Sequence, residues 1–247
     1  MTSIIYPGKT MNKGRLYLIP STLGESPVNN SFPAFNLDVI RSVHCFIVEE
    51  VRTARRFIKK VSPDVNLETV QFLVFNEHSQ TIDLSSYMTP LMNGEDVGLL
   101  SEAGMPCIAD PGSSVVALAH SLGIAVIPLT GPSSIFLSLM ASGFNGQNFI
   151  FHGYLPIEKP LRVKKIREIE KSIYSFNQTQ IFIETPYRNL QLFQSIIETC
   201  GDSTQLCIAC DLTSESEFIK VMPIKIWRGK GSQPQIHKRP AVFLLYK

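Results

Sequence analysis

The chain has 247 residues, a formal net charge of +2 at neutral pH, and 44% apolar residues against 18% charged ones. This composition excludes a disordered chain and provides enough apolar material for a sizeable core, whereas so small a charge does not by itself indicate an anionic partner. No stretch approaches the roughly 18 apolar residues that span a bilayer, and the N-terminus lacks the regions of a signal peptide. We therefore expect a cytoplasmic protein without a membrane partner.

The cysteines do not indicate a disulfide framework, because their number, five, is odd for a chain of this size. Cys207 and Cys210 form a close pair within Gln205 to Cys210, a run that predicts a strand. Residues three apart on a strand point to opposite faces of the sheet. We therefore expect both to be buried core residues, and we predict no metal site.

Short β-like runs alternate with amphipathic segments in the first half of the chain, which predicts a mostly parallel sheet with helices on both faces. After about Thr130 the pattern changes, and the last two predicted strands follow one another with no helix between them, which predicts a mixed second sheet. We expect a loose tail at 1–14 and two α/β domains, at 15–129 and 130–247. The predicted strands are Leu16–Ile19, Cys45–Val48, Val70–Phe75, Val97–Leu100, Ile124–Leu129, Asn148–His152, Gln180–Glu184, Leu206–Asp211, Phe218–Trp227 and Ala241–Tyr246.

Two loops that follow predicted strands have distinctive sequences. Ser101 to Gly112 is rich in turn residues and precedes a helix that we expect to end at Gly123. Thr130 to Ser134 opens another helix with hydroxyls and backbone N–H groups. Because open α/β sheets hold ligands at the carboxyl ends of their strands, the two loops predict one ligand cleft. The alternative is that both are ordinary connections.

The turn after the first predicted strand, Pro20-Ser-Thr-Leu-Gly-Glu25, contains a single glycine. Loops that bind pyrophosphate need Gly-x-Gly-x-x-Gly or Gly-Lys-Ser/Thr, and neither occurs here. The turn therefore disfavours a nicotinamide or nucleotide-triphosphate enzyme. It is compatible with a ligand held by backbone groups, a few hydroxyls and an apolar pocket.

The order of several motifs resembles that of the tetrapyrrole methylase superfamily, and within it the ribosomal RNA small subunit methyltransferase I family. The resemblance begins near Arg15 and continues to the C-terminus; each fragment is weak alone, but their ordered succession is a strong signal. The matching segments are Leu16-Tyr17-Leu18-Ile19-Pro20 with Gly24, Val48-Glu49-Glu50-Val51-Arg52, Asn76-Glu77-His78-Ser79, Ser101 to Pro106, Asp110-Pro111-Gly112, Gly131-Pro132-Ser133 and Glu184-Thr185-Pro186-Tyr187-Arg188.

The resemblance implies a homodimeric methyltransferase that binds S-adenosylmethionine, folded in a cleft between two lobes. It further implies 2'-O-methylation of ribose in small-subunit ribosomal RNA. Two alternatives stay open: methylation of a tetrapyrrole or other small molecule, and a catalytically silent module that binds a ligand or RNA. By motif match, the cofactor-binding residues are Leu23, Gly24, Ser101, Glu102, Ala103, Gly104, Met105, Pro106, Ser133, Ser134 and Glu184. We expect Gly104 to allow a close backbone approach or a positive φ.

Five further residues at or just beyond predicted strand ends are candidates for lining the site. Glu50, Glu77 and His78 have groups that accept or orient the proton of an acceptor hydroxyl. Arg52 and Arg188 are planar donors that suit phosphate. Three of them also have an ordinary interpretation: Glu50 and Arg52 are typical of the start of a solvated helix, and a loop histidine such as His78 is often solvated or a cap. The proton acceptor stays unassigned.

Two basic clusters bear on an RNA substrate. Residues 159–171 hold six Lys or Arg on a predicted helix, where a solvated face explains them equally well. Residues 225–239 hold five Lys or Arg and no acid, which suits RNA phosphate better. Side chains among them that can stack on or hydrogen-bond to unpaired bases are Trp227, Gln233, Gln235 and His237.

The chain departs from the family's motifs at positions that bear on function. Glu102 stands where the family has aspartate, and Met105 where it has threonine. The family commonly has arginine and lysine where this chain has Ala209 and Ser214, so both cations of that element are missing. This departure leaves the methyl acceptor open and favours the silent-module alternative.

Overall fold

The structure is a computed structural model that describes residues 13–76, 84–229 and 233–247. The chain divides into two compact units: residues up to Thr22 with Pro27–Pro132 form the first, and Leu23–Ser26 with Ser133–Lys247 form the second. Within the described residues, no helix combines the length and apolar character needed to cross a membrane.

The first unit contains a fully parallel five-stranded sheet in the order β3-β2-β4-β1-β5. Its register pairs Leu16 with Val97 on one side of β1 and Arg15 with Ala125 on the other. Because β2, β4, β1 and β5 are successive neighbours, the loops that follow these four strands share one edge of the sheet. The strands are β1 (Arg15–Ile19), β2 (Cys45–Val48), β3 (Gln71–Val74), β4 (Val97–Leu100) and β5 (Ala125–Pro128).

Both faces of this sheet are covered, because alternate strand residues point to opposite sides. On one face Ile19, Phe46 and Val48 pack against the first two helices. On the other face Leu16 and Ile47 belong to a separate cluster with the third and fourth helices. The helices are α1 (Ala34–Ser42), α2 (Val51–Val61), α3 (Ser85–Met92) and α4 (Ser113–Ser121), with short 3-10 turns at Val28–Asn30 and Leu67–Thr69.

The second unit contains a mixed sheet, as predicted, and its five strands lie in the order β6-β7-β10-β8-β9. β6 and β7 are parallel, whereas β10 is antiparallel to both β7 and β8. The segment before β10 therefore lies at the edge where β7 and β8 end. The strands are β6 (Phe149–Tyr154), β7 (Thr179–Ile183), β8 (Gln205–Cys210), β9 (Phe218–Pro223) and β10 (Ala241–Tyr246).

Helices again cover both faces of the second sheet. α5 (Ser134–Ser142) packs Ile135 and Leu139 on one face, against residues that include Cys207. α6 (Lys159–Phe176), α7 (Asn189–Thr199) and the short α8 (Ile224–Trp227) pack on the other face, which includes Cys210. The two cysteines thus lie on opposite faces, and burial raises the pKa of the Cys207 thiol to about 12 and that of Cys210 to about 11.

One predicted strand is wrong at its end. The sequence predicts a single strand over Phe218–Trp227 with no helix before the last strand, but β9 stops at Pro223 and α8 follows. Proline has no N–H to continue a ladder. Ile224 and Trp227, three residues apart, are both buried on the same side of a helical turn, and Trp227 Nε1 donates to the Leu206 carbonyl at 3.1 Å. The other predicted strands are present, with ends within two residues of those predicted.

Candidate functional site

The loops after β1, β4 and β5 meet at the carboxyl edge of the first sheet. The Ser21 N–H donates to the Gly104 carbonyl at 2.9 Å, which joins the loop after β1 to the loop after β4. A Cβ at Gly131, in the loop after β5, would lie 2.2 Å from Pro20 Cγ, so glycine is required there by the close approach of the β1 loop. The first unit therefore brings three of the predicted motifs together.

The loop after β4 has an unusual backbone. Gly104 has a φ of +74°, which confirms the expectation of a positive φ, and Cys107 and Ala109 also lie in the left-handed region. The left-handed region is unfavourable for residues with a Cβ, and it persists where the surrounding structure holds it. Asp110 Oδ1 accepts the Gly112 N–H at 2.8 Å and holds the end of this loop. The backbone N–H and carbonyl groups of this loop are therefore held in fixed orientations.

Glu50 begins helix α2, as the alternative interpretation of this residue expects. One carboxylate oxygen accepts the Arg52 N–H at 2.9 Å and the other accepts the Thr53 N–H at 3.1 Å. These backbone hydrogen bonds, that to Arg52 foremost, lower the pKa of Glu50. Because both oxygens cap the helix and the carboxylate is stabilised in its charged form, Glu50 is poorly suited to take a proton from a substrate hydroxyl.

The start of α2 also contacts the loop after β4. Thr53 Oγ1 donates to Glu102 Oε1 at 2.7 Å. Sequence reasoning missed Thr53, although its place three residues after the helix cap is the position that commonly points back toward the cap. Beside it, the Arg52 side chain is exposed, and no ion pair of its guanidinium occurs within the described residues. The start of α2 thus presents the exposed Arg52 guanidinium at the same edge of the sheet as the loop after β4.

Ser21 is an unsatisfied polar group at this edge. The residue is 3% exposed, and its hydroxyl has no hydrogen-bond partner in the described part of the chain. A buried hydroxyl without a partner is costly unless a ligand or water satisfies it. The nearby Ser101 is also buried, and its hydroxyl makes a long contact of 3.4 Å with the Ala103 carbonyl. These groups fit a ligand that is held by hydroxyls and main-chain atoms, the kind of ligand with which the turn after β1 is compatible.

The remaining predicted cofactor residues belong to the second unit. Ser133 caps helix α5, and its hydroxyl accepts the Phe136 N–H at 3.5 Å. Gly24 is exposed, and a Cβ built there would have no neighbour within 4 Å among the residues that the structure describes. Leu23 and Ser134 are partly exposed. That these residues share one cleft with Ser101 to Pro106 stays a prediction.

Glu184 and Arg188 form a local ion pair after β7. The buried Glu184 Oε1 accepts hydrogen bonds from Arg188 Nη2 at 2.6 Å, from Arg188 Nε at 3.0 Å and from the Thr185 N–H at 2.7 Å. The hydrogen bond to Glu184 raises the pKa of the Arg188 guanidinium. Two of the three guanidinium nitrogens are therefore engaged, and the main role visible for Arg188 is to hold the Glu184 carboxylate in place.

A cation that sequence reasoning missed stands beside Asp211. The two cations that the family has near this position are replaced by Ala209 and Ser214. Arg239, in the segment before β10, places its guanidinium beside Asp211 instead. Its Nε donates to Asp211 Oδ2 at 2.8 Å, and its Nη2 donates to the Ser216 carbonyl at 2.6 Å. The antiparallel pairing of β10 with β8 makes this contact possible. The sequence signal is weak, since the two residues are far apart along the chain.

Trp227 does not have the predicted role of stacking on RNA bases. The residue is 2% exposed, and its ring meets Phe193 edge to face with centroids 5.5 Å apart. The prediction is wrong because the indole fills the core beneath α8. Gln233, Gln235 and His237 are exposed, as an RNA contact requires. A cavity of about 200 Å³ adjoins this segment and is lined by Phe218, Lys220, Trp227, Gln233, Pro234, Gln235 and Arg239.

The other basic cluster, residues 159–171 on α6, is partly structural. Arg162 is buried, and its guanidinium donates to Ser195 Oγ at 3.0 Å and to the Ile157 carbonyl at 2.5 Å. Lys159 pairs with Glu198 at 3.2 Å. Packing and surface ion pairs therefore account for part of this charge. The predicted site residues Glu77 and His78 lie outside the described residues.

Comparison with solved structures defines the class of fold. The crystal structure of the methyltransferase CobJ aligns with a TM-score of 0.62 and 13% identity, over 95% of this chain and 94% of that one. The uroporphyrin-III-C-methyltransferase from Thermus thermophilus aligns with a TM-score of 0.52 and 15% identity, over 95% and 92%. The chain therefore has the tetrapyrrole methylase fold. No protein-family model matches the chain.

Sequence relatives define the family within this class. The protein of Vibrio cholerae is 30% identical over 218 residues, 87% of this chain and 72% of the relative, and that of Thermotoga maritima is 32% identical over 202 residues, 81% and 82%. The protein of Bacillus subtilis is 30% identical over 216 residues, 87% and 69%. All three are named ribosomal RNA small subunit methyltransferase I. The chain belongs to this family of methyltransferases, as its motifs predicted.

Proposed function

We propose that this chain transfers a methyl group from S-adenosylmethionine to a ribose 2'-hydroxyl of small-subunit ribosomal RNA. The proposal is carried by the sequence relatives named ribosomal RNA small subunit methyltransferase I. The chain is at least 30% identical to three of them over more than two thirds of their length. The likeness to the methyltransferase CobJ and to uroporphyrin-III-C-methyltransferase concerns the fold alone. The family relationship therefore favours RNA over a tetrapyrrole as the acceptor.

The carboxyl edge of the first sheet supports this proposal on the cofactor side. We assign the backbone of Ser101 to Pro106 and the unpartnered hydroxyl of Ser21 to cofactor binding. When bound, S-adenosylmethionine supplies a methyl group on a cationic sulfur, already activated for in-line attack. The protein then has to orient the acceptor and exclude water. The residues assigned in the second unit, by motif match, are Leu23, Gly24, Ser133, Ser134 and Glu184.

The RNA side of the proposal rests on the start of α2. Arg52 is exposed and available to hold a phosphate as a bidentate donor. Arg188 acts through Glu184, which it fixes in one orientation. Glu50 serves as the cap of α2, so Glu77 and His78 stay the candidates for accepting or orienting the hydroxyl proton.

We further propose a cytoplasmic location and domain limits at 15–129 and 130–247.

We also propose that the chain forms a homodimer. Phe136 is 50% exposed and Met140 is 76% exposed. The two are four residues apart on α5, so they share one face of the helix. An exposed apolar stripe of this kind supports burial against a second copy of the chain.

Titration calorimetry with S-adenosylmethionine and transfer of a labelled methyl group to small ribosomal subunits test the proposal together. We expect saturable binding and label on ribose. Absence of binding at millimolar cofactor excludes a working methyltransferase. Binding with transfer to a tetrapyrrole instead of RNA supports the alternative acceptor.

The variant Ser21→Ala tests the assigned hydroxyl. We expect the Kd for S-adenosylmethionine to rise by about fivefold to tenfold, because a hydrogen bond contributes about 1 kcal/mol net. The melting temperature should hold or increase, since the hydroxyl has no partner among the described residues. Ser62→Ala is the matched control: Ser62 is also buried with an unpartnered hydroxyl, but it follows the last turn of α2. Equal affinities in the two variants would remove Ser21 from the site.

A further inference from the structure

The segment 235–239, which precedes β10, has a firmly anchored backbone. The fully buried Asn189, at the start of α7, donates from Nδ2 to the carbonyls of Ile236 at 3.2 Å and Arg239 at 2.6 Å. Arg239 in turn donates from Nη1 to the Gln235 carbonyl at 2.5 Å. Three carbonyls of this short segment are thus bound by side chains. Its exposed side chains project from a fixed support, which lowers the entropy lost when they bind a ligand.

Lys238 lies in this segment with a φ of +60°, in the left-handed region that a residue with a side chain rarely adopts. Its N–H donates to the Pro186 carbonyl at 3.0 Å, which ties the segment to the loop after β7. Its ammonium lies 5.8 Å from the centroid of the Tyr187 ring. Tyr187 is itself 71% exposed. The anchored backbone therefore holds a lysine beside an open aromatic ring.

The stretch of sequence that contains Lys238 is basic. Residues 225–239 contain five Lys or Arg and no acid. Arg228 and Arg239 are ion-paired, with Asp202 and Asp211. In the described ranges Lys238 has no ion pair, so its charge is available to a ligand. An exposed ring with a free ammonium is the combination that binds single-stranded nucleic acid, by stacking a base and holding a phosphate.

A contribution to protein stability does not explain why Lys238 lies beside the exposed Tyr187 ring. A tyrosine that is 71% exposed buries little apolar area, and a surface cation over a ring contributes only about 0.5–1 kcal/mol. The left-handed backbone at Lys238 costs a similar amount or more. Such strain is typical of binding sites, where the surrounding structure maintains it.

We propose that Tyr187 and Lys238 form a contact site for one unpaired nucleotide of the RNA substrate, with the base on the Tyr187 ring and a phosphate on the Lys238 ammonium. The inference rests on the proposed function in taking RNA as the substrate. Tyr187 and Lys238 are not among the residues assigned to the cofactor. Substitutions of these two residues should therefore change RNA affinity and leave cofactor affinity unchanged.

The test uses the full chain and a fluorescently labelled, unstructured RNA of about 12 nucleotides. Tyr187→Ala should raise the Kd for this RNA about tenfold, since stacking of one base contributes roughly 1–3 kcal/mol, and Tyr187→Trp should restore it. Lys238→Gln should reduce the slope of log Kd against log salt by about 0.7, the value for one phosphate contact on a single strand. Calorimetry should give an unchanged Kd for S-adenosylmethionine in all three variants.

Phe176→Ala and Lys247→Gln are the matched controls. Phe176 is 66% exposed and precedes β7, whereas Tyr187 follows that strand; Lys247 is exposed after β10 and lies outside both basic clusters. Neither control should change the RNA affinity by more than about twofold, well below the effect of one stacked base. RNA affinity that is unchanged in Tyr187→Ala, or equally reduced in Phe176→Ala, overturns the inference. So does a wild-type chain that does not bind the RNA.

An assay of methyl transfer to small ribosomal subunits distinguishes a failure of this inference from a failure of the proposed function. A wild-type chain that leaves ribose unmodified but binds RNA through Tyr187 refutes the proposed reaction and retains the contact site. A chain that methylates ribose, with RNA affinity and rate both unchanged in Tyr187→Ala, retains the reaction and refutes the contact site.

Discussion

Gly104 has a φ of +74°, and Cys107 and Ala109 follow in the same region at +66° and +58°. The Gly104 carbonyl accepts the Ser21 N–H at 2.9 Å. A change of backbone conformation at Gly104 therefore moves a group that joins two loops at the carboxyl edge of the first sheet. The position is sensitive through its main chain, since glycine has no side chain to contribute.

Gly104→Ala should weaken cofactor binding as well as lower thermal stability. A Cβ in the left-handed region costs about 1–2 kcal/mol, which lowers the melting temperature by a few degrees, at roughly 2–4 °C per kcal/mol for a chain of this size. The displaced loop should raise the Kd for S-adenosylmethionine about tenfold or more, which corresponds to at least 1.4 kcal/mol. Calorimetry and a thermal melt measure the two effects separately.

Gly123→Ala is the control for backbone strain. Gly123 has a φ of +64° after α4, and within the described residues a Cβ there meets only Lys13 Nζ, at 3.8 Å. This variant should lose similar thermal stability and keep its cofactor affinity. If Gly104→Ala behaves in the same way, the loop after β4 has no special part in cofactor binding.

Individual residues also show where sequence reasoning fails. Glu50 has two interpretations in the sequence, a site residue or a helix start, and only its hydrogen bonds to the N–H groups of α2 choose between them. Arg239 could not be paired with Asp211 from the sequence, because their contact depends on the antiparallel register of β10 and β8. Motif matching finds residues that are close along the chain and misses partners that the topology brings together.

At the scale of elements, hydrophobic patterning predicts the strands well because each sheet is buried on both faces. Apolar runs such as Cys45–Val48 and Val97–Leu100 are fully buried strands with the predicted bounds. The pattern fails at Phe218–Trp227, where an apolar run continues from a strand into a helical turn. Apolar residues suit either element, and Pro223 is the signal that marks the change.

The β6–β7 pair predicts a pH dependence of stability. His152 in β6 is half-buried, and its Nε2 lies 2.7 Å from Oε1 of Gln180 in β7. Burial, with a smaller effect from the Lys165 charge, lowers the pKa of His152. The folded protein then binds fewer protons here than the unfolded chain. This contribution to the free energy of unfolding is complete above the unfolded pKa of about 6.5 and is lost as the pH falls toward the folded pKa.

Urea unfolding at pH about 7.5 and about 5.5, on either side of the ordinary histidine pKa, measures this effect. The wild type should lose more stability on acidification than His152→Phe, a substitution that matches the flanking Phe149 and Phe151. His44, His120 and His237 are exposed and are present in both proteins, so the difference between the two stability losses reports on His152. Equal losses in the two proteins would show that His152 does not carry the pH dependence.

At the scale of the molecule, sequence reasoning predicts a parallel first sheet and a mixed second one, because alternation of strands and helices is visible along the chain. It does not predict the strand order β3-β2-β4-β1-β5, which depends on contacts between distant segments. That order places the loops after β2, β4, β1 and β5 along one edge. The motifs thus locate the candidate cofactor loops, and the topology explains why three of them meet in the first unit.

A map of ribose 2'-O-methylation in small-subunit ribosomal RNA, from cells with and without this gene, tests the proposed reaction most directly. One ribose should lose its methyl group when the gene is removed and regain it when the wild-type gene is restored. A methylation map that is identical in the two strains, for a protein that binds S-adenosylmethionine in calorimetry, would contradict the assignment of ribosomal RNA ribose as the methyl acceptor.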